Sequence, residues 1–501
     1  MKIALTFMLS LFSLFSNAAQ TVKYQVNYAK NMPKSGLTIT VTTTLSKPAD
    51  SSYFYYANEI WGEENLFQSI SNFKGAGKGY RFRMVPDSNR IVVYHPTATT
   101  VSFSYTVRQD YPGDSPNIFA RPRLQPTFFH ALGQSLFVMP EAVFESGKED
   151  PEMDATIDWI GFPKEFAIHN MLGSQELHQS FNGKLWTEFY NTLFVGGDYR
   201  IHSFEHQNKK VYFAIRGNWT TFQDDQLLAL FQRTLITQRD FWNDQDFDYY
   251  TVIMTPTLTS NDSIMYPGQS VNGSRIYNGF MIQSTNNPFN DLGTIKYIFN
   301  HEMMHDWIGG KITMAHEELN YWFSEGFTDY YAYKNQLRNG ALTPEEWRAK
   351  FNEDVLKAHY INPERNEPNY RIKDDFWTNY NIEKLPYRRG TLFAFWLDQQ
   401  LLVSSNGKTS LDDFMRTLLI HCTENEVLFT DELFLDLLQQ QTGEDWCYFF
   451  QKYVISGVDF DWSKLTMADG IALNQTEDGF PQLEFTETES VFKEAYLMLK
   501  K

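Results

Sequence analysis

The sequence is poor in cysteine, in basic blocks and in long apolar runs, and each shortage removes a class of protein. Only two cysteines, Cys422 and Cys447, occur among 501 residues, too few for a disulfide scaffold or a cysteine-rich metal knuckle. In an oxidising compartment they pair, or each is a small apolar side chain; both readings stay open, and neither makes them catalytic. No Lys/Arg block interrupts a chain of formal net charge −18, which argues against nucleic acid and anionic membrane surfaces as partners. Beyond the first residues no run is apolar and long enough to span a bilayer, so no integral membrane segment is expected in the mature chain. Repeats and low-complexity tracts are missing as well.

What the chain has in quantity is aromatic surface: 42 Phe, 28 Tyr and 12 Trp within a 42% hydrophobic composition. That is enough to build sizeable cores, and the length predicts two or three domains. Lys2, the apolar run Ile3 to Phe15 and the small residues Ser16, Asn17, Ala18 and Ala19 have the order of a secretory signal cut after Ala18 or Ala19. A periplasmic or secreted protein is the expectation.

From 19 to 216 the pattern is that of strands. Tyr24–Tyr28, Leu37–Leu45, Ile91–Tyr94, Val101–Val107 and Val211–Ile215 are β-branched and aromatic, punctuated by turns such as Gln207-Asn208; a β-sandwich-like domain is expected. After Asn218 apolar residues recur at helical spacing, first over Asp224–Trp242 and then over Asp291–Ile308 and Glu318–Leu337. Residues 217–338 are read as an α+β catalytic domain and 339–465 as a helical C-terminal domain. The tail 466–501 has no assigned role.

The chemistry concentrates at His301-Glu302-Met303-Met304-His305. On a helix, residues four apart share a face, so His301 and His305 can bind one metal while Glu302 stays within reach of its water. A catalytic zinc needs a third ligand and an open fourth position. Glu325, twenty positions after His305 (325 − 305), is favoured because it opens a helix; Glu317 and Glu318 are rivals in the connecting stretch. Asp329, one turn past Glu325, either fixes the tautomer of His301 or is a solvated helix carboxylate. Tyr387 offers a neutral phenol that can stabilise an oxyanion.

With Trp322-Phe323-Ser324-Glu325-Gly326-Phe327-Thr328 after the two histidines, the chain resembles the gluzincin metallopeptidases. The wording is most similar to the glycyl aminopeptidase (M61) family, and more loosely to the aminopeptidase N (M1) family that includes leukotriene A4 hydrolase. Leu385-Pro386-Tyr387-Arg388-Arg389-Gly390 and Ser410–Met415 extend the resemblance over roughly residues 200 to 460. It implies a thermolysin-like zinc domain, one zinc ion, a peptide substrate, and Tyr387 placed in an aromatic–x–basic–Gly turn.

Two departures accompany it. The spacer to Glu325 is one residue longer than is usual in the aminopeptidase N family and much shorter than is common in the other, whose PDZ-like module does not fit the tail. The upstream strand of both families carries a glutamate for the substrate amine, whereas no glutamate occurs here between Glu205 and Glu302, and Arg275 brings a positive charge instead. Asp262 and Asp291 are the nearest substitutes. The Tyr277–Gln283 segment is expected as the edge strand that binds an extended peptide. The reading that results is a zinc peptidase with His301, His305 and Glu325 as ligands, Glu302 as base and Tyr387 as oxyanion donor. Exo- or endopeptidase action, a non-peptide zinc hydrolase and a non-catalytic zinc-binding protein are the alternatives.

Overall fold

In Gln20–Asn27 the alternation puts Val22, Tyr24 and Val26 on one fully buried face. In this computed structural model the strand lies inside an eight-stranded sheet. The strand order is His178–Leu185, Glu152–Ile160, Gln20–Asn27, Leu37–Tyr55, Arg90–Val107 and Ile70–Gly75, with two short strands paired off this path. A second sheet of four strands runs Ala167–Asn170, Leu193–Gly197, Phe128–Leu132, Arg123–Leu124. Aromatic contacts join the two sheets, Phe129 to Trp159 at 5.3 Å and Trp159 to Phe194 at 6.2 Å between ring centroids. Residues 20–112, 120–146, 148, 150–257, 268–462, 465–468 and 470–498 are the described ones. The expected signal segment and Asp262 lie outside them.

The chain divides into two compact units after Arg200. The second holds a five-stranded sheet, labelled here β1 (Arg200–His206), β2 (Lys209–Ile215), β3 (Tyr249–Pro256), β4 (Val271–Ile276) and β5 (Gly279–Ser284), in the order β1-β2-β3-β5-β4. Gln207 and Asn208, both left-handed, make the tight connection from β1 to β2. The Val211–Ile215 strand therefore does not belong to the N-terminal β domain, and the expected boundary at 216 moves to 200. Local propensity identified the strand, but its partner is distant: β2 pairs in parallel with β3, Val211 beside Tyr250, across a helical crossover that propensity cannot see. The edge strand is also corrected. β5 is hydrogen-bonded on both sides, and β4 stands at the edge.

Helix α1 (Asp224–Trp242) forms the crossover, and α2 (Leu292–Met304) begins at Asp291, whose side chain accepts the Thr294 N–H. Further on come α3 (Gly326–Arg338), α4 (Pro344–Lys350), α5 (Tyr380–Ser404), α6 (Leu411–Glu424) and α7 (Asp431–Thr442). One apolar cluster runs through all of them, including Phe231, Phe299, Trp322, Phe393 and Phe434. Segments 217–338 and 339–465 thus share a core rather than forming two. The described part of the tail has structure too: β6 (Ile471–Gln475) and β7 (Pro481–Phe485) form a hairpin, and α8 (Glu489–Tyr496) packs the tilted rings of Phe492 and Tyr496 against Trp347 at 5.1 and 5.2 Å. Among the described residues no helix is long and apolar enough to cross a membrane. Both cysteines are free, Cys422 buried and Cys447 exposed.

A fully buried lysine ties the helices together. Lys334 Nζ lies 2.7 Å from Asp398 Oδ2 and 2.9 Å from Asp412 Oδ1, linking α3 to α5 and α6. The Leu411 N–H and the Tyr330 hydroxyl also donate to Asp398, and the Tyr496 hydroxyl donates to Tyr330. Lys334→Met would leave buried carboxylates without their cation. It should cost about 3–5 kcal/mol, read as a lowered urea midpoint, and an unchanged midpoint would contradict this account.

Candidate metal centre

Helix α2 buries Ile295, Ile298, Phe299 and Met303 and turns His301 and Glu302 inward. It stops at His305, which is its C-cap and points its Nδ1 at the Ile308 carbonyl at 3.1 Å. Gly309, left-handed at φ 100°, carries the chain away immediately afterwards. Glu325 sits at the joint between the short helix Tyr321–Ser324 and α3. The single Glu318–Leu337 helix expected from sequence is thus two helices and a 3₁₀ turn, with the carboxylate at the break.

The structure brings His301, His305 and Glu325 into one group, with a ligand atom of each within 4.8 Å of the others. His301 Nε2 and His305 Nε2 are 3.1 Å apart, and Glu325 Oε2 lies 3.4 and 3.7 Å from them. Hydrogen bonding decides what these atoms are. His301 Nδ1 faces Asp329 Oδ1 at 2.7 Å and His305 Nδ1 faces a carbonyl, so in the neutral rings both Nδ1 atoms carry the proton and both Nε2 atoms present lone pairs. Two lone pairs and a carboxylate oxygen that is buried without a hydrogen bond converge on one point. That arrangement repels itself unless a cation sits among them. The separations are those of ligands about 2.0–2.1 Å from one tetrahedral zinc, whose edges are about 3.3 Å.

The titration behaviour points the same way. Burial drives His305 down to about 4, keeping it neutral. Burial also acts to lower His301, but the hydrogen bond to Asp329 and the nearby Glu325 carboxylate outweigh it and push that ring well up. For Glu325 burial is opposed by His305, His301 and a hydrogen bond from the Tyr387 phenol, which hold the carboxyl at about 2. The pocket demands positive charge at its centre, from a proton or from a metal. Asp329 takes the tautomer-fixing role, and Tyr297, one turn before His301, donates to the same Oδ1 at 2.5 Å. Glu317 and Glu318 lie in the 3₁₀ turn Glu317–Leu319, outside the ligand group. Asp291 is used as the cap of α2.

Glu302 and Tyr387 line one cavity of about 540 Å³ together with His301. Burial lifts Glu302 to about 7 against the pull of His301, with Glu325 and Asp329 adding to the rise. Burial and then Glu325, Asp329 and Glu302 keep the Tyr387 phenol protonated, hence a donor. Tyr387 is not in a turn, as the resemblance implied, but within α5, which continues through Pro386. Gly326 and Gly390 bring α3 and α5 together: a Cβ on Gly326 would come within 2.4 Å of Gly390 Cα, and one on Gly390 within 2.1 Å of the Trp322 carbonyl. This close approach sets Tyr387 beside Glu325.

No family model and no curated protein matches the sequence. The fold does match solved structures. An aminopeptidase N family protein from Idiomarina loihiensis superposes with a TM-score of 0.72 at 14% identity, covering 92% of this chain and 81% of its own. An M1 zinc metallopeptidase from Deinococcus radiodurans gives 0.50 at 12% identity, covering 90% and 96%. The chain has an aminopeptidase-like α+β fold.

Sequence reading alone missed Tyr297, the Gly326–Gly390 contact and Gly273, where a Cβ would sit 2.2 Å from Glu302 Oε1. Only Tyr297 carried a local signal, its i−4 spacing from His301. Asp329→Asn should weaken zinc binding about 10–100-fold, measured by competition with a chromogenic chelator, whereas Glu318→Gln should leave it unchanged.

Proposed function

We propose that this chain is a zinc-dependent metallopeptidase of the gluzincin kind, exported to the periplasm or secreted. The observation that carries the reading is the convergence of the His301 and His305 lone pairs on the Glu325 carboxylate, with Glu302 and Tyr387 on the wall of the same cavity. His301, His305 and Glu325 would hold a zinc ion, which when bound would supply Lewis acidity and make a water acidic near neutral pH.

Glu302 takes the proton of the attacking water and later returns it to the leaving amine. A carboxyl that burial has lifted to about 7 is matched to both halves of that task near neutral pH. The Tyr387 O–H donates a hydrogen bond to the carbonyl oxygen, and the bond strengthens as that oxygen gains charge. Asp329 and Tyr297 keep the His301 ring in the metal-facing tautomer throughout. The cavity beside Tyr387 is walled by Val271, Ile298 and Tyr333, with charges of both signs from Asp354, Glu383, Lys384 and Arg388, and it takes the part of the peptide on one side of the cleaved bond. The aminopeptidase N-like fold supports the M1 branch of the resemblance, while the motif wording around Glu325 favours the glycyl aminopeptidase branch; in both, a thermolysin-like catalytic part is implied, here built on the sheet that begins at Arg200.

Three measurements test the reading. Glu302→Gln should retain one zinc per chain and lose turnover of peptides by about 10²–10⁴-fold; a variant that binds zinc and cleaves normally would sink it. Tyr387→Phe should lower kcat by about 10²–10³-fold with little change in KM. Dialysis against a chelator should abolish cleavage, and one equivalent of zinc should restore it.

A further inference from the structure

Strand β4 runs past the metal centre, and its alternation sorts its side chains. A Cβ on Gly273 would point into the Glu302 carboxylate, so Val271 and Arg275, two residues either way, share that face. Val271 lines the cavity. Arg275 stands on the opposite side of Glu302, its Nε 3.5 Å from Oδ1 of Asp306, the residue after His305. A peptide laid along this edge strand has one end in the cavity and the other at Arg275.

The charge at Arg275 is not used up by its neighbours. Asp306 already receives Arg239 Nη2 at 3.2 Å, from a guanidinium whose side chain is only 4% exposed. Asp244 is paired with Lys311 at 2.6 Å and also faces Arg239 at 3.7 Å. The linked set holds three cations (Arg239, Arg275, Lys311) and two carboxylates (Asp244, Asp306), a surplus of one positive charge. Lys311 is as exposed as Arg275 but holds Asp244 at 2.6 Å, and Arg239 is buried, so the surplus falls on Arg275, which has the longer ion pair to Asp306 at 3.5 Å. The stretch from 206 to 301 contains no glutamate to receive an ammonium, and Asp291 is committed to capping α2.

We propose that Arg275 forms a carboxylate-binding subsite on the side of the cleaved bond away from the cavity. It selects substrates with an acidic side chain there and disfavours a free ammonium group at that place. This rests on the hydrolytic reading of the site and names its substrate class: acidic peptides cut internally or with a blocked amino end, rather than peptides gripped by a free N-terminus. The guanidinium suits this role because its planar fork matches a carboxylate in two parallel hydrogen bonds.

The test uses N-acetylated peptides that differ only in Glu, Gln or Lys at each position flanking the cut, with products mapped by mass spectrometry. Wild type should cleave the Glu member about tenfold faster than the Lys member at one of these positions. Arg275→Gln should level the ratio, Arg275→Glu should invert it, and Arg275→Lys should keep its direction. Binding of the same peptides, labelled and followed by anisotropy on zinc-loaded Glu302→Gln with and without Arg275→Glu, reads the preference without turnover. A Glu-to-Lys ratio that is the same in wild type and in a folded Arg275→Glu variant overturns the subsite. If no peptide is cut by wild type but the binding ratio still inverts, the hydrolytic reading fails and the subsite stands; if cleavage persists with an unmoved ratio, the reverse holds.

Discussion

Everything around the metal centre answers one electrostatic constraint: three carboxylates, Glu302, Glu325 and Asp329, are gathered in the interior about two imidazoles. Buried negative charge at that density is unfavourable without a compensating cation, so the protein must hold the ligands apart from one another and aimed at a common point. It does so with rigid parts. The histidines come from the last turn of α2, Glu325 from the joint ahead of α3, and Asp329 from the first turn of α3, where its carboxylate fixes the first histidine. The glycine contact between α3 and α5 then places the phenol of Tyr387 against the same cluster. A looser assembly would let the like charges relax away from each other, and the site would lose the cation's seat.

The same physics operates deeper in the helical layer with the charges in opposite arrangement. There Lys334 is the buried cation, and Asp398 and Asp412 surround it. In the metal centre the cation is a ligand to be acquired; in the helical layer it is part of the chain. The two sites lie on one helix, α3, which carries Asp329 towards the metal and Lys334 towards α5 and α6. Fixing that helix by its far face is a physical reason why the metal-facing residues hold their positions.

Much of this was legible in the residues, and what was not has a common cause. His301, His305 and Glu302 declared themselves by spacing on one helix, because that relation is local; the one-turn offset of Asp329 from Glu325 leaves it open between a partner of His301 and a solvated carboxylate, which the 2.7 Å contact decides. Val211–Ile215 was recognisable as a strand but not as a member of the second unit's sheet, since pairing with Tyr250–Met254 is set by a crossover rather than by the strand. Tyr277–Gln283 reads as an edge in the sequence, yet the strand it forms, Gly279–Ser284, has a second neighbour, Tyr249–Pro256, that lies far upstream. The turn around Tyr387 is implied by the family resemblance alone; Pro386 and Gly390 are both accommodated within α5, where Gly390 serves helix packing. Gly273 had no signal at all, as its importance is the space it leaves for a side chain 29 positions later (302 − 273).

The tail closes the helical core of the second unit. Tyr496 donates its hydroxyl to that of Tyr330 on α3, and with Phe492 it covers Trp347 on α4. Its ring also stands 4.7 Å from the Lys334 ammonium. Helix α8 is therefore a plug: with it removed, Trp347 and the buried Lys334 network would face water, and the helix that carries Asp329 would lose a wall on its far side.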